Sequence, residues 1–490
     1  MGIYPSKNKM QKEILINADL PEKRVAIVAD GELQEFYIEQ PGERTTVGNI
    51  YKGRIESVVP SLNAAFVNIG QDKKGFLYLS EIEYGAYEST EEAELKQSLK
   101  IKKGDEVLVQ VVKEAYGTKG PRLSGHLGLP GRYLVLAPQN SNWGVSRRIE
   151  DEGERRRLRL ILEGLRLPKD VGFIVRTAAA GKSAREILRD ARFLLKLWSR
   201  IKKASAHHSA PSLVYEECDL ILRVIRDSFT EEISRVVVDT KSEFKRIQAF
   251  VRSFGRDLAR RVHLYQGPDL FFDRNIERQI NKIFERHVYL KSKAYIVIEP
   301  TEGLVVIDVN SGGFKKSLSP EEAAFKINAE AAAEIARQLR LRDLGGIIVI
   351  DFIDMEKEGH RREISNILNR HLSKDRAKYD CLGISKFGLV QLTRERIHAT
   401  VQAQTYEECP YCQGKGKIKS ARSVCLYAFR QLKRDLQLKR QPQVNLSLNP
   451  AVASLMEKYR DSLRFLERRF RTKINLISNP TQHLEEIKIT

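Results

Sequence analysis

The chain has 490 residues, roughly three times the ~150 residues of a typical domain, so we expect several domains with separate cores and exclude one small module. Its 84 Lys and Arg against 64 Asp and Glu give a formal net charge of +20, while 42% hydrophobic residues exclude wholesale disorder. A folded, strongly basic chain favours a polyanionic partner, although a basic surface without a ligand is the alternative, and charge alone indicates no reaction.

The start of the chain contains no apolar run of the kind that a signal peptide needs, and no later stretch approaches ~18 uninterrupted apolar residues. We therefore expect a soluble, cytoplasmic protein without a membrane span. The five cysteines are too few and too scattered for a disulfide framework, which fits a reducing compartment.

Short alternating apolar runs between residues 13 and 40 predict a small sheet at the start of the chain. Strand patterns continue from Thr46 to about Leu127, with turns between them and a fifth strand possible just before Leu127. Short strands at this spacing are typical of a small closed barrel of the OB class.

The middle of the chain mixes strand and helix signals. A charged helix is predicted from Asp151 to Leu165, and a second helix begins near Ser183. Two helical stretches then extend to about Phe284, with strand candidates at 213–215 and 234–239.

Residues 294–400 have the clearest βαβ pattern in the chain. Strands at 303–308 and 346–351 flank a long alanine-rich helix, which begins with a capping box formed by Ser319 and Glu322. A right-handed crossover of this length makes the two strands parallel and neighbouring. The tail after Gly416 is helical to about Leu438 and then short, mixed and very basic.

The two strands of this pattern each end in aspartate after four apolar residues. Parallel pairing brings Asp308 and Asp351 together at the carboxyl edge of the sheet, where open α/β sheets bind their ligands. Two adjacent carboxylates repel each other, so a divalent cation such as magnesium or manganese is the simplest way to keep both ionised. Asn310 shares a face with Asp308 and can join the site. Asp354 points the other way if its strand persists, so we keep it only as a reserve candidate for the site. The alternative is that each Asp only caps a following loop.

The segment Cys409-Pro-Tyr-Cys412-Gln-Gly-Lys-Gly416 has the form of a zinc knuckle. Tetrahedral zinc needs four ligands, and the sequence has no second CxxC or nearby His pair, so the missing pair is expected from another protomer. A redox pair is the alternative, because CPYC also occurs in glutaredoxin-like proteins. There it begins a helix after a strand, and here we see no thioredoxin-like context for it.

Arg176-Thr177 followed by Gly181-Lys-Ser183 resembles a phosphate-binding loop but lacks the glycine spacing of a P-loop, so ATP hydrolysis is not supported. A guanidinium, a hydroxyl and a helix N-terminus can still hold one phosphate, although an ordinary Ser-capped helix explains the pattern equally well.

In the predicted barrel, Phe66 and Phe76 occupy strands on which nucleic-acid-binding OB folds carry stacking aromatics, and Lys119 lies in the same segment. Strand position alone favours a core role for each Phe.

Together these motifs resemble the ribonuclease E/G family over almost the whole chain. The motifs that carry the resemblance are Asn49-Ile-Tyr-Lys-Gly53, Pro60-Ser-Leu-Asn-Ala-Ala-Phe-Val67, Val175-Arg-Thr177 with Gly181-Lys-Ser183, Ile307-Asp-Val-Asn-Ser311, Val349-Ile-Asp-Phe-Ile-Asp-Met355, Ser385-Lys-Phe-Gly-Leu389 and the CPYCQGKG knuckle. The length, and the lack of a long disordered carboxyl-terminal extension, resemble the shorter members of the family.

The resemblance implies an endoribonuclease that uses magnesium to cut single-stranded, A/U-rich RNA and leaves a 5′-phosphate and a 3′-hydroxyl, with roles in rRNA and tRNA processing and mRNA decay. It implies catalytic roles for three residues and RNA contacts for three others, which reverses the core interpretation of the two Phe. The residues are Asp308, Asp351 and Asn310 for catalysis, with the two Asp as metal ligands, and Phe66, Phe76 and Lys119 for RNA.

It further implies a pocket that binds a 5′-monophosphate, formed by Arg176, Thr177, Gly131 and Val135. Cys409 and Cys412 match a zinc link shared between protomers of a homodimer or homotetramer. The last ~75 residues match the family only loosely.

The fold implied is a multidomain α/β protein. Its parts are an RNase H-like subdomain in two pieces (1–45 and 222–286), an inserted S1-type RNA-binding barrel (46–127), a 5′-phosphate sensor (128–221), a DNase I-like α+β catalytic subdomain (287–407), the zinc link (408–416) and a small basic C-terminal domain (417–490). The functional alternatives are a non-catalytic RNA-binding or ribosome-assembly factor and, more remotely, a thiol redox protein.

Overall fold

The computed structural model describes residues 11–42, 45–82, 101–115, 119–138, 143–164, 171–313, 319–396, 401–439 and 441–490. These form two compact units, Met1–Gln404 and Thr405–Thr490. No helix in these ranges is long and apolar enough to cross a membrane.

The strands are β1 (Lys12–Asn17), β2 (Lys23–Ala29), β3 (Glu32–Glu39), β4 (Ile50–Val59), β5 (Ala64–Asn68), β6 (Gly75–Tyr78), β7 (Glu106–Lys113), β8 (Arg122–Ser124), β9 (Leu129–Pro130), β10 (Leu134–Pro138), β11 (Gly144–Val145), β12 (Val171–Val175), β13 (Ser212–Tyr215), β14 (Ile233–Val238), β15 (Val262–Leu264), β16 (His287–Tyr289), β17 (Tyr295–Pro300), β18 (Leu304–Asn310), β19 (Gly346–Asp351), β20 (Tyr379–Cys381), β21 (Leu389–Arg394), β22 (Gln443–Leu448), β23 (Lys473–Ser478) and β24 (Ile487–Ile489).

The α-helices are α1 (Glu152–Glu163), α2 (Ala184–His207), α3 (Leu220–Ser228), α4 (Lys241–Arg252), α5 (Arg256–Ala259), α6 (Leu270–Asp273), α7 (Ile276–Ile283), α8 (Pro320–Leu341), α9 (Glu358–Leu372), α10 (Val401–Thr405), α11 (Ala421–Leu438), α12 (Pro450–Lys458) and α13 (Arg460–Phe470).

The predicted N-terminal sheet is present, but it is completed by strands from far along the chain. Its order is β15-β14-β1-β2-β3, and β1 pairs in parallel with β14. Apolar clusters cover both faces of this sheet, because alternate residues of β1 point to opposite sides: Ile14 lies in one cluster and Leu15 in the other.

The predicted barrel is also present. Strands β4 to β8 pair in the order β4-β5-β6-β8-β7, and an additional pairing of β4 with β7 closes the ring. The inward side chains are small or branched apolar residues such as Ala65, Val67 and Leu77, all fully buried. Strand β13, from much later in the chain, adds to the outside of β4.

Between the barrel and β13, a four-stranded sheet of order β11-β12-β10-β9 packs against helices α1 and α2. Helix α2 begins at the predicted Ser183, which forms a full capping box with Glu186. One face of α2, from Ile187 to Ile201, is largely apolar and buried, and it includes Trp198, which is 4% exposed. Burial of this face holds the helix to the sheet.

The βαβ pattern forms the centre of a mixed six-stranded sheet of order β16-β17-β18-β19-β21-β20. Helix α8 begins with the predicted Ser319–Glu322 capping box and buries its alanine-rich face against the sheet. Small alanines let the helix backbone approach the strands closely, so α8 fixes the position of β18 and β19.

The unit Thr405–Thr490 has a three-stranded sheet of order β23-β22-β24, with β22 and β23 parallel and β24 antiparallel. Helices α11, α12 and α13 share one apolar core with it.

Candidate functional site

The carboxylates of Asp308 and Asp351 lie side by side at the carboxyl ends of two neighbouring parallel strands. Asp308 on β18 is the direct register partner of Asp351 on β19, and both side chains are exposed. The prediction that the crossover brings them to one level is therefore confirmed. The Asn310 amide donates a 2.8 Å hydrogen bond from Nδ2 to Asp308 Oδ2, so the predicted third residue also belongs to the group.

Asp354 belongs to the surroundings of this pair as well. The expectation that it points away required β19 to continue, but the strand ends at Asp351. Burial raises the pKa of Asp351 above its usual value, and the Asp308 and Asp354 carboxylates raise it further. Negative charge therefore accumulates at this sheet edge.

The donor set fits a hard cation. The described ranges contain no cluster of three or more His, Cys, Asp or Glu side chains that are close enough together to hold a metal ion. Two carboxylates supported by an amide are nevertheless the kind of partial site that magnesium uses, because magnesium keeps several waters and takes further oxygens from a phosphate substrate. Burial is the main cause of the raised pKa of Asp351, and a bound cation would offset the second cause, the repulsion from the Asp308 and Asp354 carboxylates.

The two barrel phenylalanines lie on the outer face of the barrel. Phe66 on β5 is the register partner of Phe76 on β6, and their rings meet edge to face with centroids 5.9 Å apart. Both side chains are half-buried, whereas a core Phe would be enclosed, and Lys119 is exposed. The two rings thus form an aromatic surface open to solvent.

The four predicted sensor residues lie near one another at one corner of the β9–β12 sheet. Arg176 follows β12, and its Nη1 donates 2.6 Å to the Gly131 carbonyl oxygen. Val135 on β10 pairs with Ile174 on β12, and the exposed Thr177 hydroxyl lies 3.3 Å from the Ser146 hydroxyl.

Two acidic residues that the sequence analysis missed organise this corner. Arg176 Nη1 also donates 2.7 Å to Asp227 Oδ1 on α3, and Asp227 is paired in turn with the buried Arg226. Asp190 on α2 is 5% exposed. Its carboxylate accepts the backbone N–H groups of three consecutive residues, Arg132, Tyr133 and Leu134. Neither residue adjoins the sensor motif in sequence, so no local pattern marks them.

Gly131 is needed next to Asp190. A Cβ at Gly131 would lie 2.6 Å from Asp190 Oδ2, too close for any other residue without displacement of the carboxylate. The glycine therefore lets the loop close over the carboxylate and turn its own carbonyl towards Arg176.

The CPYC segment lies in a loop of the C-terminal unit. Cys409 is exposed and Cys412 is half-buried. Hydrogen bonds from the Cys412 and Tyr411 backbone N–H groups, and from the Cys412 thiol, lower the pKa of Cys409. This favours the thiolate that binds metal. The loop is anchored by His483, whose Nε2 lies 2.7 Å from the Tyr411 carbonyl oxygen and whose ring packs 4.1 Å from the Tyr411 ring.

Comparisons with known proteins give a consistent result over the chain. The sequence model described as Ribonuclease E/G family matches residues 128–397, the S1 RNA binding domain matches 44–125, and the RNase E/G thioredoxin-like domain matches 408–490.

Full-length relatives agree. Ribonuclease G of Haemophilus influenzae is 39% identical over 451 residues, 91% of this chain and 91% of its own. Ribonuclease G of Escherichia coli K12 is 38% identical over 454 residues, 91% of this chain and 93% of its own. Ribonuclease E of Escherichia coli K12 is 39% identical over 465 residues, 94% of this chain but 44% of its own.

An S1 RNA-binding barrel joined to this catalytic region defines an endoribonuclease, a hydrolase of RNA phosphodiester bonds. The chain belongs to the ribonuclease E/G family, and in length it matches the ribonuclease G members.

One sequence argument was wrong. We set aside a thioredoxin-like context for CPYC, yet residues 408–490 match a thioredoxin-like domain. The same match identifies the kind of domain at 417–490, which the sequence predicted only as small and basic. The local geometry still differs from a redox CPYC motif, which begins a helix after a strand. Here the segment lies in a loop, and the next helix, α11, begins at Ala421.

Proposed function

We propose that this endoribonuclease is magnesium-dependent and cuts single-stranded, A/U-rich RNA, with a preference for 5′-monophosphorylated substrates. The observation that carries the proposal is the side-by-side placement of Asp308 and Asp351 at one sheet edge. The cellular roles that follow are rRNA and tRNA processing and mRNA decay in the cytoplasm.

In this proposal Asp308 and Asp351 hold the magnesium ion, with manganese as a substitute. When bound, the ion supplies a Lewis acid that polarises the scissile phosphate and lowers the pKa of a bound water. Asn310 positions Asp308, because its amide occupies Oδ2 and leaves Oδ1 for the ion. Water adds to phosphorus and the bond to the 3′-oxygen breaks, so one product carries a 5′-phosphate and the other a 3′-hydroxyl.

We assign an RNase H-like subdomain to the sheet β15-β14-β1-β2-β3 and a DNase I-like subdomain to the sheet that carries Asp308. Support for the first comes from its strand order, three parallel strands followed by two antiparallel ones. Support for the second comes from its mixed sheet with Asp308 and Asp351 at the carboxyl edge.

The 5′-monophosphate would bind at Arg176 and Thr177, beside Gly131 and Val135. Both hydrogen bonds that the Arg176 guanidinium makes within the described chain use Nη1, so Nε and Nη2 can donate to a phosphate.

Replacing Arg176 by Ala should reduce kcat/KM on a 5′-monophosphorylated oligoribonucleotide by about 10- to 100-fold, the value of a hydrogen bond to a charged group, and should little affect the 5′-hydroxyl substrate. The exposed Arg185 of the same subdomain, replaced by Ala, is the matched control. Equal loss on both substrates would assign Arg176 a general binding or folding role instead.

Single-stranded RNA would stack on Phe66 and Phe76 and meet the charge of Lys119. A second source of attraction is the region from 413 to 490, which holds 17 Lys and Arg against 6 Asp and Glu, an excess of 11 positive charges. This region supplies more than half of the net charge and would gather RNA without selecting a sequence.

Zinc would be shared between protomers through Cys409 and Cys412, giving a homodimer or homotetramer. Two thiolates from one chain and two from another complete a tetrahedral site, and the described residues offer no third ligand.

The double substitution Cys409→Ser with Cys412→Ser should remove bound zinc and reduce the particle mass measured by light scattering, because the four-thiolate site is lost. Cys381→Ser is the control, since Cys381 lies in the other unit. An unchanged mass together with a zinc-free parent protein would refute the link.

One assay separates the proposed function from its alternatives: incubation with a 5′-monophosphorylated oligoribonucleotide in magnesium or in EDTA. Internal cuts in magnesium alone support the proposal, and cuts in EDTA refute the metal requirement. RNA binding without cuts in either condition would indicate a non-catalytic RNA-binding or ribosome-assembly factor. Thiol-disulfide activity without RNA cleavage would indicate a redox protein.

A further inference from the structure

The outer face of the barrel carries a row of side chains that extends beyond the two phenylalanines. Register pairs join Phe66 on β5 to Phe76 on β6, Phe76 to Arg122 on β8, and Arg122 to Lys113 on β7. Directly paired residues point to the same side of a sheet, so Phe66, Phe76 and Arg122 form one line across three strands. The register of β7 shifts between Val111 and Lys113, and the exposed Lys113, paired with Arg122, continues this line. Two aromatic residues are thus followed by two cations.

Tyr78 lies beside this row and supports Arg122. It is two residues after Phe76 on β6, so it shares the outer face, and its ring meets the Phe76 ring edge to face at 4.9 Å. The Arg122 guanidinium carbon lies 5.1 Å from the Tyr78 ring centroid, within cation–π range. Tyr78 is 36% exposed, so its ring is open to solvent beside the Phe66–Phe76 surface.

The Arg122 guanidinium is held in place but not fully hydrogen-bonded. Nη2 donates 3.0 Å to Glu81 Oε1, while Nε has no hydrogen-bond partner among the described residues. The Arg122 side chain is 40% exposed. A guanidinium that is fixed on one face by a ring and at one edge by a carboxylate presents its other face to solvent, where a nucleobase can stack.

We propose that Arg122, positioned by Tyr78 and Glu81, forms an additional nucleotide-binding position next to the Phe66–Phe76 surface. A base of single-stranded RNA stacks on the guanidinium, and the next phosphate meets Lys113. The inference deepens the proposed function, because it rests on RNA binding by the barrel. The additional position lengthens the RNA segment that the barrel binds by one nucleotide.

The test is equilibrium binding of 5′-hydroxyl oligouridylates of graded length to the full chain in EDTA, followed by fluorescence anisotropy. The 5′-hydroxyl end avoids the sensor and EDTA prevents cleavage. Arg122→Ala should weaken binding about tenfold, the value of one stacked base, for oligonucleotides long enough to reach the new position. The shortest ones, which reach only the two Phe, should bind as to the parent protein.

Conservative variants separate stacking from charge. Arg122→Lys keeps the charge and should preserve the slope of the binding constant against salt concentration. It should still lose most of the affinity that Arg122 contributes, because lysine lacks the planar group. Tyr78→Phe should bind like the parent, whereas Tyr78→Ala should resemble Arg122→Ala. Arg260→Ala is the control, because Arg260 is an exposed arginine paired with Asp257 outside the barrel.

The outcomes distinguish the inference from the function on which it rests. If Arg122→Ala binds every length like the parent while Phe66→Ala binds weakly, the additional position is refuted and barrel binding stands. An equal loss at all lengths also refutes it. If Phe66→Ala and Phe76→Ala bind like the parent too, RNA binding by this face fails altogether. Circular dichroism of each variant identifies loss of folding. If Arg122→Ala does not fold, Arg122→Lys replaces it in the binding measurements.

Discussion

Replacing Asp308 by Asn should destroy activity while making the metal-free protein more stable. Asp308 and Asp351 are direct register partners, so their carboxylates repel each other across neighbouring strands about 5 Å apart. Cross-strand charge pairs contribute about 0.2–1 kcal/mol at exposed positions. Removing one charge should therefore raise the stability in EDTA by about 0.5 kcal/mol.

The effect on catalysis should be much larger and of opposite sign. A unit charge about 4 Å from a divalent cation contributes up to about 8 kcal/mol at an effective dielectric constant of about 20, and a water that replaces the carboxylate recovers part of this. A remaining loss of about 4 kcal/mol corresponds to roughly a thousandfold lower kcat/KM. Asp351→Asn should behave in the same way.

The pH dependence gives an independent check. The raised pKa of Asp351 means that the folded metal-free protein binds this proton more tightly than the unfolded chain does. Stability in EDTA should therefore fall as the pH rises from the usual aspartate pKa through the raised one. In Asp308→Asn this fall should be smaller, because one cause of the raised pKa is gone.

The measurements are cleavage of a 5′-monophosphorylated oligoribonucleotide and thermal unfolding in EDTA and in magnesium. Asp380→Asn, at an exposed aspartate on β20 of the same sheet, is the matched control and should change neither. Turnover within tenfold of the parent in both site variants would refute the metal assignment. A lower unfolding temperature for both in EDTA would refute the repulsion argument.

Two further predictions concern buried carboxylates. Asp190→Ala should destabilise the protein by about 3 kcal/mol, because three backbone N–H groups lose their acceptor, and it should weaken the preference for a 5′-monophosphate. Asp190→Asn should have smaller effects. Both variants are checked by urea unfolding and by cleavage of 5′-monophosphorylated and 5′-hydroxyl oligoribonucleotides. Arg394→Met should cost about 3–5 kcal/mol in urea unfolding, because Asp375, which is 5% exposed, loses its guanidinium partner. Partial recovery on adding Asp375→Asn would support this reason, and a neutral Arg394→Met would contradict it.

The pairing of Asp308 with Asp351 was predictable because its determinants are local. The βαβ pattern, the capping box at Ser319 and Glu322 and the two strand ends all lie within about 50 residues of sequence, and a crossover of that kind has one favoured geometry. Asp354 could only be held in reserve, because its direction depended on where β19 ends, and strand ends are set by tertiary packing rather than by the apolar pattern.

Interactions between distant segments were not predictable from pattern. Asp227 contacts Arg176 across 51 residues, and nothing in the sequence around either one marks the pair. Strand β13 matched its predicted position, yet its pairing with β4 of the barrel could not be inferred from one sequence. The half-buried, outward-facing positions of Phe66 and Phe76 were anticipated from family resemblance, since strand residues of this type are more often fully buried.

The N-terminal sheet has a consequence for synthesis of the protein. Glu13 on β1 pairs with Arg235 on β14, so the sheet joins segments 222 residues apart. At about 5–20 residues per second, the ribosome takes roughly 10–45 s to deliver the second segment after the first. During that interval β1, β2 and β3 can form only a meander in which β1 is an edge without its partner β14, while the barrel strands emerge and can close into their own ring. Nascent chains should therefore be most open to aggregation or chaperone binding before residue 238 has emerged.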